Sequence, residues 1–412
     1  MTSPTPAAPV RKAHRAGTHR VVSPDETLAR VRPLMPVMGI TRIANITGLD
    51  CIGIPVTMVC RPNARSLAVS QGKGLDLAAA KASGLMESVE GYHAERILRP
   101  VLLATLEELR YTRTVVELTA LPRAPGAPFH ANLSIPWIEG VDLVHGEPVW
   151  LPLDVVHLDH TTGTRWTRSG FAATSNGLAS GNHLLEAIEH GLCEVIERDA
   201  MTLWRLLDPP ARDATRVDLR TVRDEACASV LARYAAAGIA VGVWEITSDV
   251  GVPAFACRIL DARDEPFRRL GFAEGMGCHP SRPVALLRAL TEAAQSRLTL
   301  IAGSRDDLLR GQYAELRSPE RAGRFRGEIL EARGTRPFDD GPGVEHDTFD
   351  ADVAWEIGRL RAAGIGRVVV VDLTKPELGI PVARVVVPGL EGLAVGRSWA
   401  PGPRARARMP PP

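Results

Sequence analysis

The sequence predicts a mixed α/β protein, a single large body in which β-sheets pack against helices. Three observations lead there. Runs rich in β-branched residues, bounded by Gly or Pro, alternate with helical stretches along most of the chain. No internal repeat divides it. An apolar fraction of 45% over 412 residues supplies a core that needs no disulfide or metal staple.

Residues 1–25 are basic, Pro-rich and without hydrophobic period, which predicts an unstructured arm. The folded body is expected over 26–400. Within it, Ile54 to Met58, Leu67 to Val69, Val241 to Ile246, Val368 to Val371 and Ala383 to Val387 read as strands. Helices are expected at 76–97, 182–207, 218–237, 284–302 and 351–363. Gly, Pro, Arg and Asp dominate Ser318 to Thr348, which reads as a linker or long loop. The tail, 401–412, repeats the composition of the arm and carries the same expectation of disorder.

Lys and Arg number 49 against 48 Asp and Glu. Such a balance offers no electrostatic reason for nucleic acid or an anionic membrane surface as main partner. Cys51, Cys60, Cys193, Cys227, Cys257 and Cys278 include no C-x-x-C pair, so neither a zinc ribbon nor a dithiol motif is present and the thiols are expected to be reduced. No signal-peptide core and no run of about 18 apolar residues occurs. A cytoplasmic protein is expected.

Two helices carry acid without base. In DLAAAKASGLMESVEGYHAERI, Ser83, Glu87 and Glu90 fall at i, i+4 and i+7, within about 40° of one line along a helix. No Lys or Arg stands between Ser83 and Ala94, so two like charges sit one turn apart, costing a few tenths of a kcal/mol unless a cation arrives. Gly84 and Gly91 share the adjoining stripe, where each costs about 1 kcal/mol relative to Ala unless a ligand or another backbone approaches closely. The second helix, SNGLASGNHLLEAIEHGLCEVIERDAM, sets Asn182, Glu186, His190, Glu194 and Glu197 on one side, opposite Leu185, Ile188, Leu192, Val195 and Ile196. A solvated face explains any one such helix. The same pattern twice, with oxygen-only ligands at one-turn spacing, suits Mg²⁺ and the phosphates it bridges. A third helix bears Arg288, Glu292 and Gln295 on one stripe. Arg288 and Glu292 could form a plain surface ion pair, or the arginine could stabilise phosphoryl transfer.

At these residues the sequence resembles the YcaO family. Ser83-x-x-x-Glu87-x-x-Glu90, preceded by Gly72-Lys73-Gly74, is similar to the family's first nucleotide helix. Asn182-x-x-x-Glu186, followed by Glu194-x-x-Glu197-Arg198, is similar to the second, and Arg288-x-x-x-Glu292 with AAQSRLTLIAGSRDDL to the third. The likeness runs from about Thr27 to Leu393, and several separated motifs in order make it specific. It implies a nucleotide site between acidic helices that binds ATP and Mg²⁺ without a P-loop, and no G-x-x-x-x-G-K-[ST] occurs here. By carry-over, Glu87, Glu90, Glu186, Glu194 and Glu197 hold metal, while Lys73, Ser83, Asn182, Arg198, Arg288 and Glu292 contact or orient the nucleotide, with Arg198, Arg288 and Glu292 catalytic. The implied activity is phosphorylation of a peptide amide oxygen. External sulfide would then yield a thioamide, and a neighbouring Cys, Ser or Thr an azoline. Residues 39–74 resemble YcaO proteins that work with a separate TfuA-type partner, a group associated with thioamides. Azoline formers often end in Pro-x-Pro-x-Pro; the end here, Met409-Pro410-Pro411-Pro412, departs from that. The reading leaves room for a homodimer.

Two other classes compete. Glu90-x-x-His93 has the spacing of a di-iron bundle, but that fold needs it twice, and Glu186 and His190 are four apart. A non-catalytic peptide scaffold would be favoured by lost glutamates, and all five matched positions are kept.

Overall fold

In a computed structural model the structure describes residues 8–124, 129–161, 169–263, 270–307, 311, 318–330, 333–393 and 399–409. Eight helices serve the argument: α1 (Pro24–Val31), α2 (Leu77–Glu95), α3 (Leu184–Arg205), α4 (Glu225–Ala236), α5 (Arg282–Ala302), α6 (Pro319–Leu330), α7 (Phe349–Ala362) and α8 (Pro403–Arg406). The strands are β1 (Arg42–Asn45), β2 (Val56–Cys60), β3 (Val69–Lys73), β4 (Val101–Ala104), β5 (Ile135–Asp142), β6 (Glu147–Pro152), β7 (Leu178–Ser180), β8 (Ile239–Glu245), β9 (Ala254–Asp261), β10 (Phe272–Cys278), β11 (Val369–Asp372) and β12 (Val382–Val386). They form a mixed α+β body of three antiparallel sheets. One is β1-β2-β3, a second is β10-β9-β8, and a third runs β4-β5-β11-β12-β7 with β6 paired to β5. No helix among the described residues is long and apolar enough to cross a membrane.

Each sheet presents a helix to the middle of the molecule. Helix α2 starts at Asp76, whose carboxylate accepts the Ala79 amide at 2.7 Å, and lies across β2 and β3. There the helix glycine has its reason. A Cβ on Gly72 would fall 2.1 Å from both Ala80 O and Gly84 N, and one on Gly84 would fall 2.9 Å from Gly72 N. Strand and helix therefore touch backbone to backbone, which only glycine permits. Gly91 likewise faces the Arg61 guanidinium, 3.0 Å from where a Cβ would stand. Helix α5 meets β10 in the same way, since Cβ atoms on Gly275 and Gly277 would lie 2.2 Å from Ala293 N and 2.1 Å from Ala285 O. Helix α3 packs Ile188, Leu192, Val195 and Ile196 into a core shared with Val385 of β12 and Met276 of β10.

Three expectations are corrected. Arm residues 8–25 are packed: Lys12 and His19 are buried, Arg11 bridges to Thr348, and Ser23 caps α1 in a reciprocal box with Glu26. Polar contacts order what hydrophobicity could not. Ser318 to Thr348 is no linker, for it contains α6, whose Phe325 packs on Phe272 with ring centroids 3.9 Å apart. The guanidinium of Arg258 lies against Trp204, Trp244 and Phe325 and pairs with Glu274 and Glu328 at 2.8 and 2.9 Å. Beyond α6, Arg282 joins Glu245 at 2.8 Å and donates to Phe338 O at 3.0 Å, stitching the Gly-rich stretch to β8. The tail is also ordered through Met409, by contacts described below; Pro410 to Pro412 lie outside the described residues.

The glycine contacts set a reversal of ordinary helix propensity. Gly84→Ala should cost about 1–3 kcal/mol by overpacking, where an open helix site would gain about 1 kcal/mol. Gly72→Ala should be worse. Denaturant melts of both variants test this, and a stabilised Gly84→Ala would show that β3 does not rest on α2.

Candidate functional site

The backbone contact of β3 with α2, and of β10 with α5, brings three polar helix faces onto one cavity of about 1240 Å³. Glu87, Glu90 and Ser83 enter from α2; Glu186, Glu194, Glu197 and Arg198 from α3; Arg288 and Glu292 from α5; Lys73 and Asn182 from the segments beside them. The structure thus places every candidate site residue on one wall system.

The carboxylates differ in what they meet. Glu292 is fully engaged: Lys73 Nζ lies 2.6 Å from Oε2 and the Met276 amide donates to Oε1 at 3.1 Å. Burial would raise this carboxyl, but Lys73, Arg198 and the amide hold it below its ordinary value. The i, i+4 ion pair with Arg288 is therefore replaced by a partner 219 residues away in sequence. Glu186 accepts from the Val21 amide at 2.9 Å, with Arg20 Nε at 3.6 Å and Asn182 Nδ2 at 3.5 Å. Asn182 exchanges hydrogen bonds with Thr27 of α1.

The other four are poorly compensated. Glu90 accepts from Ser180 N and Oγ at 2.9 and 2.7 Å, yet burial, with Glu87 and Glu194 nearby, pushes its carboxyl up to about 8. Glu87 opens into the cavity, and enclosure there lifts it to about 7 against the pull of Lys73 and Arg305. Burial and the neighbouring Glu292 and Glu194 raise Glu197 to about 7, although Arg198 Nη2 lies 3.8 Å away. Glu194 is also raised by burial. Oxygen-only donors crowded against their own repulsion fit Mg²⁺. Arg198, Arg288, Arg305 and Lys73 on the same walls fit the phosphates that such a metal accompanies.

His93 is buried and its Nδ1 meets Val89 O at 2.8 Å. It is absent from the cavity wall, so the Glu-x-x-His spacing does not place its histidine among the carboxylates. Arg297 pairs with Asp50 and Asp261 at 2.9 Å and is structural.

Both chain ends reach the cavity, which their composition did not suggest. Ala16, Gly17, Thr18 and Arg20 line it from the arm, and Trp399 to Pro403 and Arg406 from the tail. The tail is clamped by two buried carboxylates. Asp199 of α3 accepts Arg404 Nε and Nη2 at 2.9 and 3.0 Å and the Glu391 amide at 2.9 Å. Glu391 in turn accepts the amides of Gly402 and Ala405, each at 2.8 Å. The one signal for this was Asp199 itself, a further acid directly after Glu197-Arg198.

Residues 71–391 match the profile of a family described as YcaO cyclodehydratase, ATP- and Mg²⁺-binding. A protein of the tfuA 3′ region in Rhizobium leguminosarum bv. trifolii is 39% identical over 385 residues, covering 90% of this chain and 88% of its own. An uncharacterized protein of Methanothermobacter thermautotrophicus is 36% identical over 384 residues, 91% of this chain and 96% of that one. Among solved structures, a heterocyclase in complex with substrate and cofactor superposes with a TM-score of 0.78 at 25% identity over 95% of this chain, which spans 55% of that protein. YcaO from Methanopyrus kandleri, bound with AMPPCP and Mg²⁺, gives 0.73 at 24% identity, covering 93% and 95%. At that identity the likeness is one of fold.

The raised carboxyls predict a pH dependence with a definite sign. Glu87, Glu90 and Glu197, at about 7, 8 and 7, hold protons in the folded protein that the unfolded chain releases at its lower pKa. Their contribution to stability is therefore full below the ordinary carboxyl value of 4.5 and is lost progressively as pH rises from there to about 7 to 8. Melts in EDTA should show this loss. Mg²⁺ binding should tighten over the same window and release protons, measurable by calorimetry in buffers of different ionisation heat. Proton-neutral binding would overturn the reading of these glutamates as metal ligands.

Proposed function

The chain belongs to the YcaO family, and on that footing we propose that it uses ATP and Mg²⁺ to phosphorylate a backbone amide oxygen of a peptide, so that sulfur is installed there as a thioamide. One observation carries the reading: four under-compensated carboxylates from two helices share one cavity with Arg198, Arg288, Arg305 and Lys73. At about 1240 Å³ the cavity exceeds the roughly 300–1,000 Å³ of a small-molecule pocket, leaving room for a nucleotide and a peptide segment together.

Glu87, Glu90, Glu194 and Glu197 would hold the metal, and Glu186, tied to the arm, would steady that set. Bound there, Mg²⁺ supplies neutralisation of triphosphate charge. Arg198 and Arg288 orient the phosphates and meet the charge that grows on the transferring group. Lys73 is poised to exchange its carboxylate partner for a phosphate oxygen. Positioning does much of the remainder. Sulfide adds to the amide carbon, the phosphoryl group passes to the amide oxygen, and phosphate departs to leave C=S, with ADP as the other product.

The thioamide outcome is supported by the TfuA-like character of residues 39–74 and by the relative from the tfuA 3′ region. A TfuA-type protein would be the partner, and the cytoplasm the setting. A second reading, closure of an azoline ring, is favoured by the tail: Trp399 to Pro403 line the cavity, where a Pro-rich end would belong in such an enzyme.

Arg288→Ala should lower the rate of ATP-dependent modification by about two to three orders of magnitude, as for loss of a charge-stabilising group, with little change in melting temperature. Full activity with lower stability would assign Arg288 to structure. Mass spectrometry of a candidate peptide incubated with the protein, a TfuA-type partner, ATP, Mg²⁺ and sulfide should show a gain of about 16 Da, against a loss of about 18 Da for ring closure. Deleting Arg408 to Pro412, beyond the Asp199–Arg404 clamp, should leave at least roughly half of that activity, whereas Arg404→Ala should lower it. Ring-closed product, abolished by the short deletion, would make the azoline reading the better one.

A further inference from the structure

Helix α3 has a second polar face, turned from the nucleotide cavity into the core. Glu189 and Cys193, one turn apart, meet Glu356 of α7, and all three side chains are buried. Cys193 Sγ lies 3.1 Å from Glu356 Oε1 and 3.5 Å from Glu189 Oε1, and the three ligand atoms fall within 4.8 Å of one another. Cys278, at the end of β10, sits beside the Cys193 thiol. Two carboxylates are thus buried together, and among the described residues neither Glu189 Oε2 nor Glu356 Oε2 has a hydrogen-bond partner. An unpartnered buried carboxylate oxygen is costly.

We propose that Glu189, Cys193 and Glu356 form a buried three-ligand Zn²⁺ site, its fourth position open, separate from the nucleotide cavity. Tetrahedral coordination with metal–sulfur and metal–oxygen bonds of about 2.3 and 2.0 Å places sulfur and oxygen about 3.5 Å apart, close to the separations found here. A thiolate beside carboxylates selects a thiophilic ion over Mg²⁺. The neighbouring His279 is excluded as a ligand by its hydrogen bonds. Its Nδ1 accepts the Ser281 amide at 2.9 Å, so Nε2 carries the proton and donates to Glu189 at 3.2 Å. It orients the carboxylate. His19 is likewise occupied, its Nδ1 facing Lys12 Nζ at 3.2 Å, while Asp352 is paired with Lys12. The ion would pin α3 and α7 to one point, and so fix the rotation of α3 that aims Glu194 and Glu197 into the cavity.

The test is metal content of the full-length protein, purified without a metal-affinity resin and exchanged into chelator-free buffer. Elemental analysis should find about one equivalent of zinc per chain. Glu356→Gln and Cys193→Ser should each lose most of it, while Glu90→Gln, on the nucleotide face, should keep it. Should those variants fold poorly, the wild type decides alone: stripped with dipicolinate, it should melt lower, recover on adding Zn²⁺, and show a thiolate-to-metal absorption band on adding Co²⁺. Substoichiometric metal in the wild type, with no thiolate band on Co²⁺ addition, would overturn the site and leave a cluster satisfied by shared protons.

Discussion

The structure turns on keeping like charges together. Glu87, Glu90, Glu194 and Glu197 would disperse into solvent on free helices, and here they face one another across an enclosed space, with carboxyls raised toward neutrality by that confinement. What holds them is not attraction between them but the contacts behind them. The backbone of β3 presses on α2 at Gly72 and Gly84, and the apolar side of α3 is buried against β12 and β10. A fold that spends core packing on repelling groups is poised for a cation that removes the repulsion.

The division of partners among the glutamates follows the same logic. Glu292 and Glu186 are satisfied, by Lys73 and by the arm, and so act as fixed points of the wall. Glu87, Glu194 and Glu197 are left with long or partial compensation, Arg198 standing 3.9 Å from Glu194. Arg288 sits in the field of Glu197 on one side of α3 and of Glu189 and Cys193 on the other. It spans both polar faces of that helix, so a change in either would be felt at the guanidinium on the cavity wall.

The five long helices were legible in the sequence because their apolar residues keep a helical period, and the acidic stripes because cations are missing from them. Helix α4 begins later than expected, at Glu225, since Asp224 caps it by accepting the Cys227 amide. Strands β9 and β10 left no alternating signal: β9 is buried at every position but its last, and β10 carries Gly275 and Gly277 where α5 presses close. Strand β5, IPWIEGVD, hides behind a proline and a glycine. Helix α6 sits in a stretch whose Arg and Gly content reads as loop, and its anchor, Phe325 against Phe272 and Arg258, lies far off in sequence. Local patterns report faces of elements; they do not report which distant residue will take a charge.

That limit is sharpest at the chain ends. Both were read as disordered from composition, because neither holds enough apolar surface to order itself. Each is ordered instead by polar contacts, among them one to an acid on α3. Glu186, in the first turn of that helix, accepts the Val21 amide, and Asp199, more than three turns on, grips Arg404 through both oxygens. Glu194 and Glu197, which line the cavity, lie between these two anchors. One helix therefore carries the carboxylates and the attachment points of both segments that close the cavity beside them, so basic, Pro-rich ends are what its acidic face requires. Their charge is a complement to acids on α3, on α7 and at Asp249, not a mark of solvent exposure, and the cavity is complete only when both ends are in place.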